Sequence, residues 1–442
     1  MDSQLDRELE PAPVSGIYEV VEAPEQPNTN LTSASHLPSI WRNRDYMLLW
    51  SGQVVSVIGT GASQIVYPLL ILALTNSPAA AGIASALASL PYIIFSLPAG
   101  ALIDRWDRKR VMIYCDIGRA LVLASIPVAL ALNALTIWQI YIASLVEGSL
   151  FVFFNLAEVA ALSRVVTKEQ LPQAAAQNDA AFSIAGILAP SVGTILYQFG
   201  KAIPFLFDSF SYMVSVISLL FIKAEFQLER KRTELHLVQE IHEGLDWLWH
   251  QPLVRYMAFL TGGLNFVNAA TTLIIIVLAK NLGASDAEIG LVFSLSAIGA
   301  IAGSIIGGQI QRRFRFGQVI ISTVWISAIL FPLLAIAPQF YLLGIIQGLA
   351  WMTGPIYNVV QFSYRIALIP DALQGRVNST FRLLAFGFQP LGAALGGFLI
   401  ERYGVNAAVL FFTVWYLIIS VLTTFNSHVR NAKPLEQAQA AL

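Results

Sequence analysis

Five of the ionisable side chains that interrupt long apolar runs of this 442-residue sequence are the residues best placed to do chemistry. They are Asp116, Arg119, Glu147, Glu158 and Asp208. A charged group at the centre of a bilayer costs at least ~2.5–3.5 kcal/mol on insertion scales, so such residues are candidates for function. Two kinds of chemistry are open to them, namely ion pairing and the binding and release of protons.

The depth of each residue in its apolar run separates these roles. Asp116 and Arg119 lie near one end of their run and Glu158 lies at a similar depth in the next, which predicts an inner charge cluster with a structural role. Glu147 lies near the middle of its run with no base of the same half at its depth, so we expect an unpaired, proton-coupling carboxyl. A hydrogen-bonded structural role for Glu147 is the alternative, and Asp208 is the second candidate for proton coupling.

The composition places these residues in a membrane. The chain is 56% hydrophobic and only 12% charged, with a mean hydropathy of +0.66. A soluble chain of this kind would leave large apolar surfaces in water. Runs such as 46–74 and 79–103 are long enough to cross roughly 30 Å of hydrocarbon at 1.5 Å per residue. We therefore predict an all-α polytopic membrane protein.

Apolar runs occur twelve times, in two groups of six. They are 46–74, 79–103, 111–133, 137–163, 174–200, 202–223, 253–279, 287–311, 317–337, 340–366, 374–400 and 405–427. This predicts an N-terminal six-helix bundle (38–223), a cytoplasmic amphipathic linker (224–252) and a C-terminal six-helix bundle (253–427). Residues 1–37 are acidic and rich in proline, which predicts a disordered cytoplasmic tail without a signal peptide. Residues 428–442 form a second cytoplasmic tail.

The positions of Lys and Arg orient the spans. With the N-terminus inside, nineteen of these residues fall in inner loops and three in outer loops, which fits the positive-inside rule. An internal repeat agrees with the division into halves, because Asn178 precedes Pro190 and Asn378 precedes Pro390 by the same twelve residues. Both termini are therefore predicted to be cytoplasmic, in the inner (plasma) membrane.

A charged motif follows the second span. It reads Gly100-x-x-x-Asp104-Arg105-x-x-Arg108-Lys109, and in type, spacing and position it resembles motif A of the major facilitator superfamily. Asp107 stands where that motif usually has glycine, as in the drug:proton antiporter branch that resembles enterobactin and macrolide exporters. The sequences around spans one and eleven are similar to that branch too.

The resemblance implies a major facilitator fold of twelve transmembrane helices in two pseudo-symmetric six-helix bundles. It also implies that Gly100, Asp104, Arg105 and Arg108 form a gate against span eleven. Chemically, the Asp104 carboxylate suits the backbone N–H groups at a helix N-terminus, whose dipole favours an anion. The alternative is a positively charged anchor, which Lys109 and Arg110 fit well. The partner of Asp107 stays open.

Span five resembles an antiporter signature. Gly186, Pro190 and Gly193 match Gly-x-x-x-Gly-Pro-x-x-Gly-Gly, whereas Ala189 and Thr194 replace two of its glycines. The signature implies export, although small residues and proline are also used in ordinary membrane-helix packing. Related exporters often carry an acid in span one at the position of Thr60. Its absence leaves proton coupling to Glu147 or Asp208, or puts that coupling in doubt.

Polar and amphipathic residues at mid-depth predict the wall of a substrate cavity. The candidates are Gln53, Gln64, Tyr67, Asn265, Asn268, Tyr357, Asn358 and Gln361, with Phe154 and Trp351 as stacking surfaces. A mixed aromatic and polar wall suits a bulky amphipathic ligand. Packing is the alternative role for each residue taken singly.

Several classes of protein are excluded or disfavoured. No zinc-hydrolase, serine-hydrolase or P-loop motif occurs, so we expect neither an enzyme nor an ATP-driven pump. Cys115 is the single cysteine, and we expect no metal, cofactor or nucleic acid. The sequence thus predicts a monomeric secondary transporter that exports a small amphipathic drug, siderophore or other metabolite, in exchange for protons, by alternating access. An uptake symporter on the same fold is the alternative, and a channel is a third possibility.

Overall fold

The structure is a computed structural model that describes residues 40–103, 105–167, 169–226, 237–370 and 373–432. Side chains at positions 97, 101, 172, 179 and 237–241 are not described. The predicted acidic tail, Asp104 of the predicted gate, part of the linker and most of the C-terminal tail lie outside these ranges.

The described residues are helical, with no strand among them. The helices are α1 Arg44–Thr75, α2 Pro78–Ile103, α3 Arg108–Ala131, α4 Ile137–Val165, α5 Leu171–Phe199, α6 Ile203–Phe221, α7 Leu237–His250, α8 Pro252–Asn281, α9 Asp286–Arg313, α10 Phe316–Leu330, α11 Phe340–Leu368, α12 Gln374–Gly387, α13 Gln389–Tyr403, α14 Val405–Phe425 and α15 Ser427–Arg430. Two short 3₁₀ turns, Ile40–Arg42 and Phe331–Ile336, precede α1 and follow α10.

Eleven segments of the described chain are long and apolar enough to cross a membrane. Each overlaps one of the predicted spans, so the chain is an all-α, multi-pass membrane protein with the predicted fold class. Helix α11, the predicted tenth span, is 29 residues long but is not among the eleven. Its polar side chains, which include Gln347, Gln361 and Arg365, lower its hydropathy. The count of twelve stays a prediction.

Two predicted spans are interrupted. The predicted span 374–400 is divided into α12 and α13 at Phe388. The predicted span 317–337 ends in the 3₁₀ turn Phe331–Ile336, where Pro332 lacks the N–H that would continue the α-helical pattern. Both interruptions leave an apolar segment that is long enough to cross the membrane.

Asp107 has a structural role that its position in the motif did not reveal. Its side chain accepts a hydrogen bond from the backbone N–H of Arg110 at 3.1 Å, so it is the N-cap of α3. It also lies 3.4 Å from the Arg110 guanidinium. The carboxylate therefore fixes the start of the helix that carries Asp116 and Arg119.

The helices pack closely within each half of the sequence. In the first half α1 contacts α5 and α6, α2 contacts α4, and α3 contacts α4 and α6. In the second half α9 contacts α11, α8 contacts α12 and α13, and α10 contacts α11 and α14. The extensive contacts between the halves are those of α2 with α13 and of α5 with α9. These four helices therefore decide how the halves are held together.

Helix α7 lies against α12. A Cβ added to Gly244 would meet the carbonyl oxygen of Arg376 and the hydroxyl of Thr380. The carboxylate of Glu243 is ion-paired with Arg376, and Leu248 is fully buried. The segment between the halves is thus attached to the second half by close packing and an ion pair.

Candidate functional site

Arg119 is the centre of a buried charge cluster. Its side chain is almost completely buried, and its Nη2 lies 3.8 Å from Oε1 of Glu147 on α4. Its Nη1 lies 3.9 Å from Oδ1 of Asp116, one turn earlier on α3. The guanidinium also lies over the ring of Tyr212, 4.0 Å from the centroid, where a desolvated cation–π contact is favourable. One arginine thus serves two carboxylates.

The expectation that Glu147 has no basic partner is wrong. It rested on the depth of each Cα along its helix, whereas the long side chain of Arg119 reaches across to the neighbouring helix. The membership of the predicted cluster changes accordingly. Glu158 makes no ion pair within the described part of the chain, so the ion pairs of the cluster join Asp116, Arg119 and Glu147. Glu158 lies beside them, close enough to Asp116 and Arg119 to interact electrostatically with both.

Asp208 belongs to a separate hydrogen-bonded group. It is fully buried and accepts hydrogen bonds from the hydroxyl of Ser63 on α1 at 2.5 Å and from that of Ser211 at 3.2 Å. Thr60, the residue at the position of the missing acid, lies one turn from Ser63, and its hydroxyl is 2.8 Å from that of Tyr212. Since Tyr212 also contacts Arg119, α1 and α6 are connected to the charge cluster.

Two large cavities adjoin this cluster, and both are lined by residues of the two halves. The central cavity, about 640 Å³, is lined in part by Gln53, Thr60, Phe154, Glu158 and Trp351. The lateral cavity, about 670 Å³, is lined in part by Tyr67, Tyr92, Glu147, Arg382 and Phe386. Gln64 and Arg119 lie on the walls of both. A ligand in either cavity is therefore next to the buried ion pair.

A third space, the side chamber, lies within the second half. It has a volume of about 270 Å³ and is lined by residues of α8, α9, α10, α11 and α14 together with Phe331, and Asn265, Asn268, Tyr357 and Asn358 are among them. Gln361 is buried but is not on the wall of any of these three spaces. Its place in a cavity wall stays a prediction.

The halves meet at one end of the helices. A Cβ added to Gly82 of α2 would meet the carbonyl oxygen of Ala393 and the Cα of Gly397 on α13. At the same end, a carboxylate oxygen of Glu401 accepts hydrogen bonds from the hydroxyl of Ser77 and, at 2.9 Å, from the backbone N–H of Ala79. Glu401 therefore caps the N-terminus of a helix of the other half.

Of the antiporter-like residues of α5, Pro190 and Thr194 take part in contacts between the halves. A Cβ added to Gly193 would meet the carbonyl oxygen of Ala62 on α1, so this glycine permits close packing within the first half. A Cβ added to Gly290 of α9 would meet Thr194 and the carbonyl oxygen of Pro190. Gly186 lies on the wall of the central cavity, with no atom within 4 Å of an added Cβ in the described structure.

Residues of the charged motif hold the ends of helices in the first half. Arg108 is buried, and its guanidinium donates to the carbonyl oxygens of Ala160 at 3.4 Å and Phe226 at 3.3 Å. Lys109 donates to the carbonyl oxygen of Ile222 at 2.7 Å. Arg105 lies in the exposed turn before α3. An added Cβ at Gly100 would meet no described atom within 4 Å.

The capping contact of Glu401 leads to a testable expectation. Glu401→Ala removes a cap worth about 1 kcal/mol, so the two halves should separate at this end about fivefold more often. Thr194 is fully buried between α5 and α9, so a cysteine at this position can react with a membrane-impermeant maleimide only when the halves separate. The labelling rate of Thr194→Cys therefore reports the opening. We expect that rate to rise about fivefold in the Glu401→Ala background.

Glu288→Ala is the matched control. Glu288 also caps a helix, but it accepts from Ser285 at the start of its own helix, α9, at 2.7 Å. Its loss should leave the labelling rate of Thr194→Cys unchanged. Equal rates in the Glu401→Ala and Glu288→Ala proteins would show that Glu401 does not hold the halves together.

Comparisons with known proteins agree with this architecture. The sequence profile of a family described as "Transmembrane secretion effector" matches residues 36–441. Macrolide efflux protein A of Streptococcus pyogenes is 24% identical over 403 residues, which cover 88% of this chain and 97% of that protein. The enterobactin exporter EntS of Shigella boydii is 24% identical over 361 residues, which cover 80% and 84%. The crystal structure of a point mutant of the nucleoside transporter NupG superposes with a TM-score of 0.73 at 14% identity, covering 86% of this chain and 99% of that one.

Proposed function

The chain belongs to the transmembrane secretion effector family of the major facilitator superfamily, and from this we propose that it exports a small amphipathic molecule in exchange for protons. It is a multi-pass membrane transporter and not an enzyme, as the sequence predicted. The observation that carries the proposal is the buried Arg119–Glu147 ion pair, which lies on the wall of a cavity between the two halves.

Alternating access accounts for the arrangement of the halves. We place both termini in the cytoplasm and the protein, as a monomer, in the plasma membrane, with the division into two six-helix bundles that the sequence predicts. In this orientation the contacts of Gly82 and Glu401 close the external side. Gly100 and Gly308, near the opposite ends of α2 and α9, have no described atom within 4 Å of an added Cβ. The halves are free to meet there in the opposite state, where Asp104 would take part in the inner gate.

The Arg119–Glu147 pair supplies a mechanism for proton coupling. When Glu147 is ionised, it is held by the guanidinium of Arg119. A proton that binds Glu147 abolishes this attraction, while Arg119 keeps its contacts with Asp116 and the Tyr212 ring. Because both partners adjoin the substrate cavities, protonation changes the charge that a ligand meets. Asp208 is the second candidate for the coupling acid, held by Ser63 and Ser211.

The cavity walls and the relatives indicate the class of substrate. Aromatic side chains such as Phe154 and Trp351 line the same space as Gln53 and Gln64, which suits a bulky molecule with apolar and polar faces. The proteins named for macrolide and enterobactin transport are named for export. An uptake symporter on the same fold would use the same acids with the opposite direction of substrate movement.

Accumulation of probes in cells tests the direction of transport. Cells that lack their own drug exporters would express the wild-type protein or an Arg119→Met variant. Each would be loaded with erythromycin, ethidium and Hoechst 33342 as amphipathic probes. We expect lower accumulation of at least one probe with the wild-type protein, and we expect a protonophore to remove the difference. Higher accumulation, or no difference for any probe, would contradict the proposal.

A further inference from the structure

We infer that the side chamber is a subsite for an uncharged, hydroxyl- or amide-bearing part of the transported molecule. The inference deepens the proposed function and rests on it, since it assumes that the adjoining cavities hold the substrate. It concerns the second half of the chain alone, whereas the charge cluster is built entirely from the first half.

The wall of the chamber is polar but carries no formal charge. Its hydrogen-bonding side chains include Thr261, Thr323, Ser327, Gln347, Thr353 and Asn358. None of the described residues that line it is Asp, Glu, Lys, Arg or His. The lateral cavity, in contrast, is lined by Arg119, Glu147 and Arg382. A neutral group with several donors and acceptors fits the chamber better than an ion does, because a desolvated ion there would find no countercharge.

Gln347 gives this wall an unfilled hydrogen-bonding position. The residue is only 4% exposed, and its side-chain oxygen has no hydrogen-bond partner within the described part of the protein. A buried acceptor without a partner is unfavourable, and nearly all such groups in proteins are paired. Other hydroxyls of the chamber wall are already hydrogen-bonded to each other. The hydroxyl oxygens of Ser327 and Thr353 are 3.1 Å apart, and those of Thr261 and Tyr357 are 2.8 Å apart. A hydroxyl or amide donor of a ligand would supply the partner that Gln347 lacks.

The chamber is large enough for a ligand group and adjoins the substrate space. Its volume is about 270 Å³, whereas one water molecule occupies ~30 Å³ in the liquid. The chamber can therefore hold a group the size of a ring. Trp351 and Ala300 lie on the walls of both the side chamber and the central cavity, and Asn268 lies on those of the chamber and the lateral cavity. One molecule can therefore place its apolar body in a large cavity and its polar group in the chamber.

Two matched fluorescent probes test this subsite. One is the dansyl sulfonamide of N-methylglucamine, which carries five hydroxyl groups and no charge. The other is the dansyl sulfonamide of N-methylhexylamine, which has the same chain length and no hydroxyls. Fluorescence titration of the purified full-length protein would give the Kd of each probe. The quantity compared between proteins is the ratio of the hexyl Kd to the glucamine Kd.

Gln347→Leu is the test variant and Gln361→Leu its control. Both glutamines are buried on α11 with one unpartnered amide atom among the described residues, but only Gln347 lines the chamber. We expect the Kd ratio to fall about threefold to tenfold in Gln347→Leu, through loss of one hydrogen bond to the glucamine group. It should stay within about twofold of the wild-type ratio in Gln361→Leu. Gln347→Leu should still fold, because it removes an unpaired polar group.

The outcomes separate the subsite from export itself. An unchanged ratio in Gln347→Leu, an equal fall in Gln361→Leu, or no binding of the glucamine probe overturns the subsite, whether or not export is found. If the ratio falls only in Gln347→Leu while the wild-type protein exports no probe, the subsite stands as a binding site and the export proposal is wrong.

Discussion

Arg119→Met should abolish probe efflux and destabilise the folded protein. Removal of the guanidinium leaves Asp116 and Glu147 buried without their cation. Breaking a buried ion pair in this way typically costs about 3–5 kcal/mol. The substitution also removes the cation that pairs with ionised Glu147. Protonation of Glu147 then no longer breaks an ion pair on the cavity wall. Thermal unfolding of the detergent-purified variant should begin at a lower temperature, and efflux should fall to the level of cells without the protein.

A triple variant separates the two effects. Arg119→Met combined with Asp116→Asn and Glu147→Gln removes all three charges, so no uncompensated carboxylate stays buried. We expect the triple variant to regain most of the thermal stability, because replacing a whole buried ion network is often neutral. It should regain no transport. If Arg119→Met transports normally, or if the triple variant is no more stable than the single one, the charge cluster does not have the role given to it here.

Glu147→Gln should uncouple the protein while leaving it folded. The amide keeps the size and the polar oxygen that face the guanidinium of Arg119, but it cannot bind and release a proton. We expect the substrate Kd to stay within a few-fold of the wild-type value. Accumulation of a probe against its concentration gradient in proteoliposomes should fall by at least about tenfold, since the coupling step is lost. Proton release on addition of substrate, followed with a pH-sensitive dye in weak buffer, should disappear.

Two other acids serve as comparisons for Glu147. Glu158→Gln changes an acid on the wall of the central cavity that has no ion pair in the described structure, and it should keep coupled transport. Asp208→Asn changes the acid that Ser63 and Ser211 hold. If Asp208→Asn stops proton release and Glu147→Gln does not, the coupling acid is Asp208 and the assignment to Glu147 is wrong.

The sequence predicted the fold class and the apolar helices well. Hydropathy located every apolar run that the structure shows as a membrane-length helix, and motif and signature residues led to the correct family. Polar residues at mid-depth, such as Gln53 and Asn268, do line cavities. These predictions succeed because they depend only on where a residue lies along its own helix, and that position can be read from the sequence.

What the sequence did not predict depends on contacts between helices. Depth along a helix does not determine which neighbour a side chain faces, so the Arg119–Glu147 pair was missed. Tyr212 and Ser63 lie in apolar runs without any motif, and only the packing of α1, α3 and α6 brings them to the acids. Arg382 was also missed as a residue of a cavity wall. The sequence did contain a signal for it, because Arg382 is a base eight residues into an apolar span.

Proton-coupled export is tested most directly with proteoliposomes under an imposed pH gradient. The purified protein would be reconstituted, and accumulation of a probe identified in the cell assay would be followed with the lumen acidic, with the bath acidic, and without a gradient. We expect accumulation only when the lumen is acidic, because protons leaving the lumen then drive the substrate in. Glu147→Gln proteoliposomes should show none. Accumulation driven by an acidic bath would identify a symporter. Equal accumulation with and without a pH gradient would contradict proton coupling altogether.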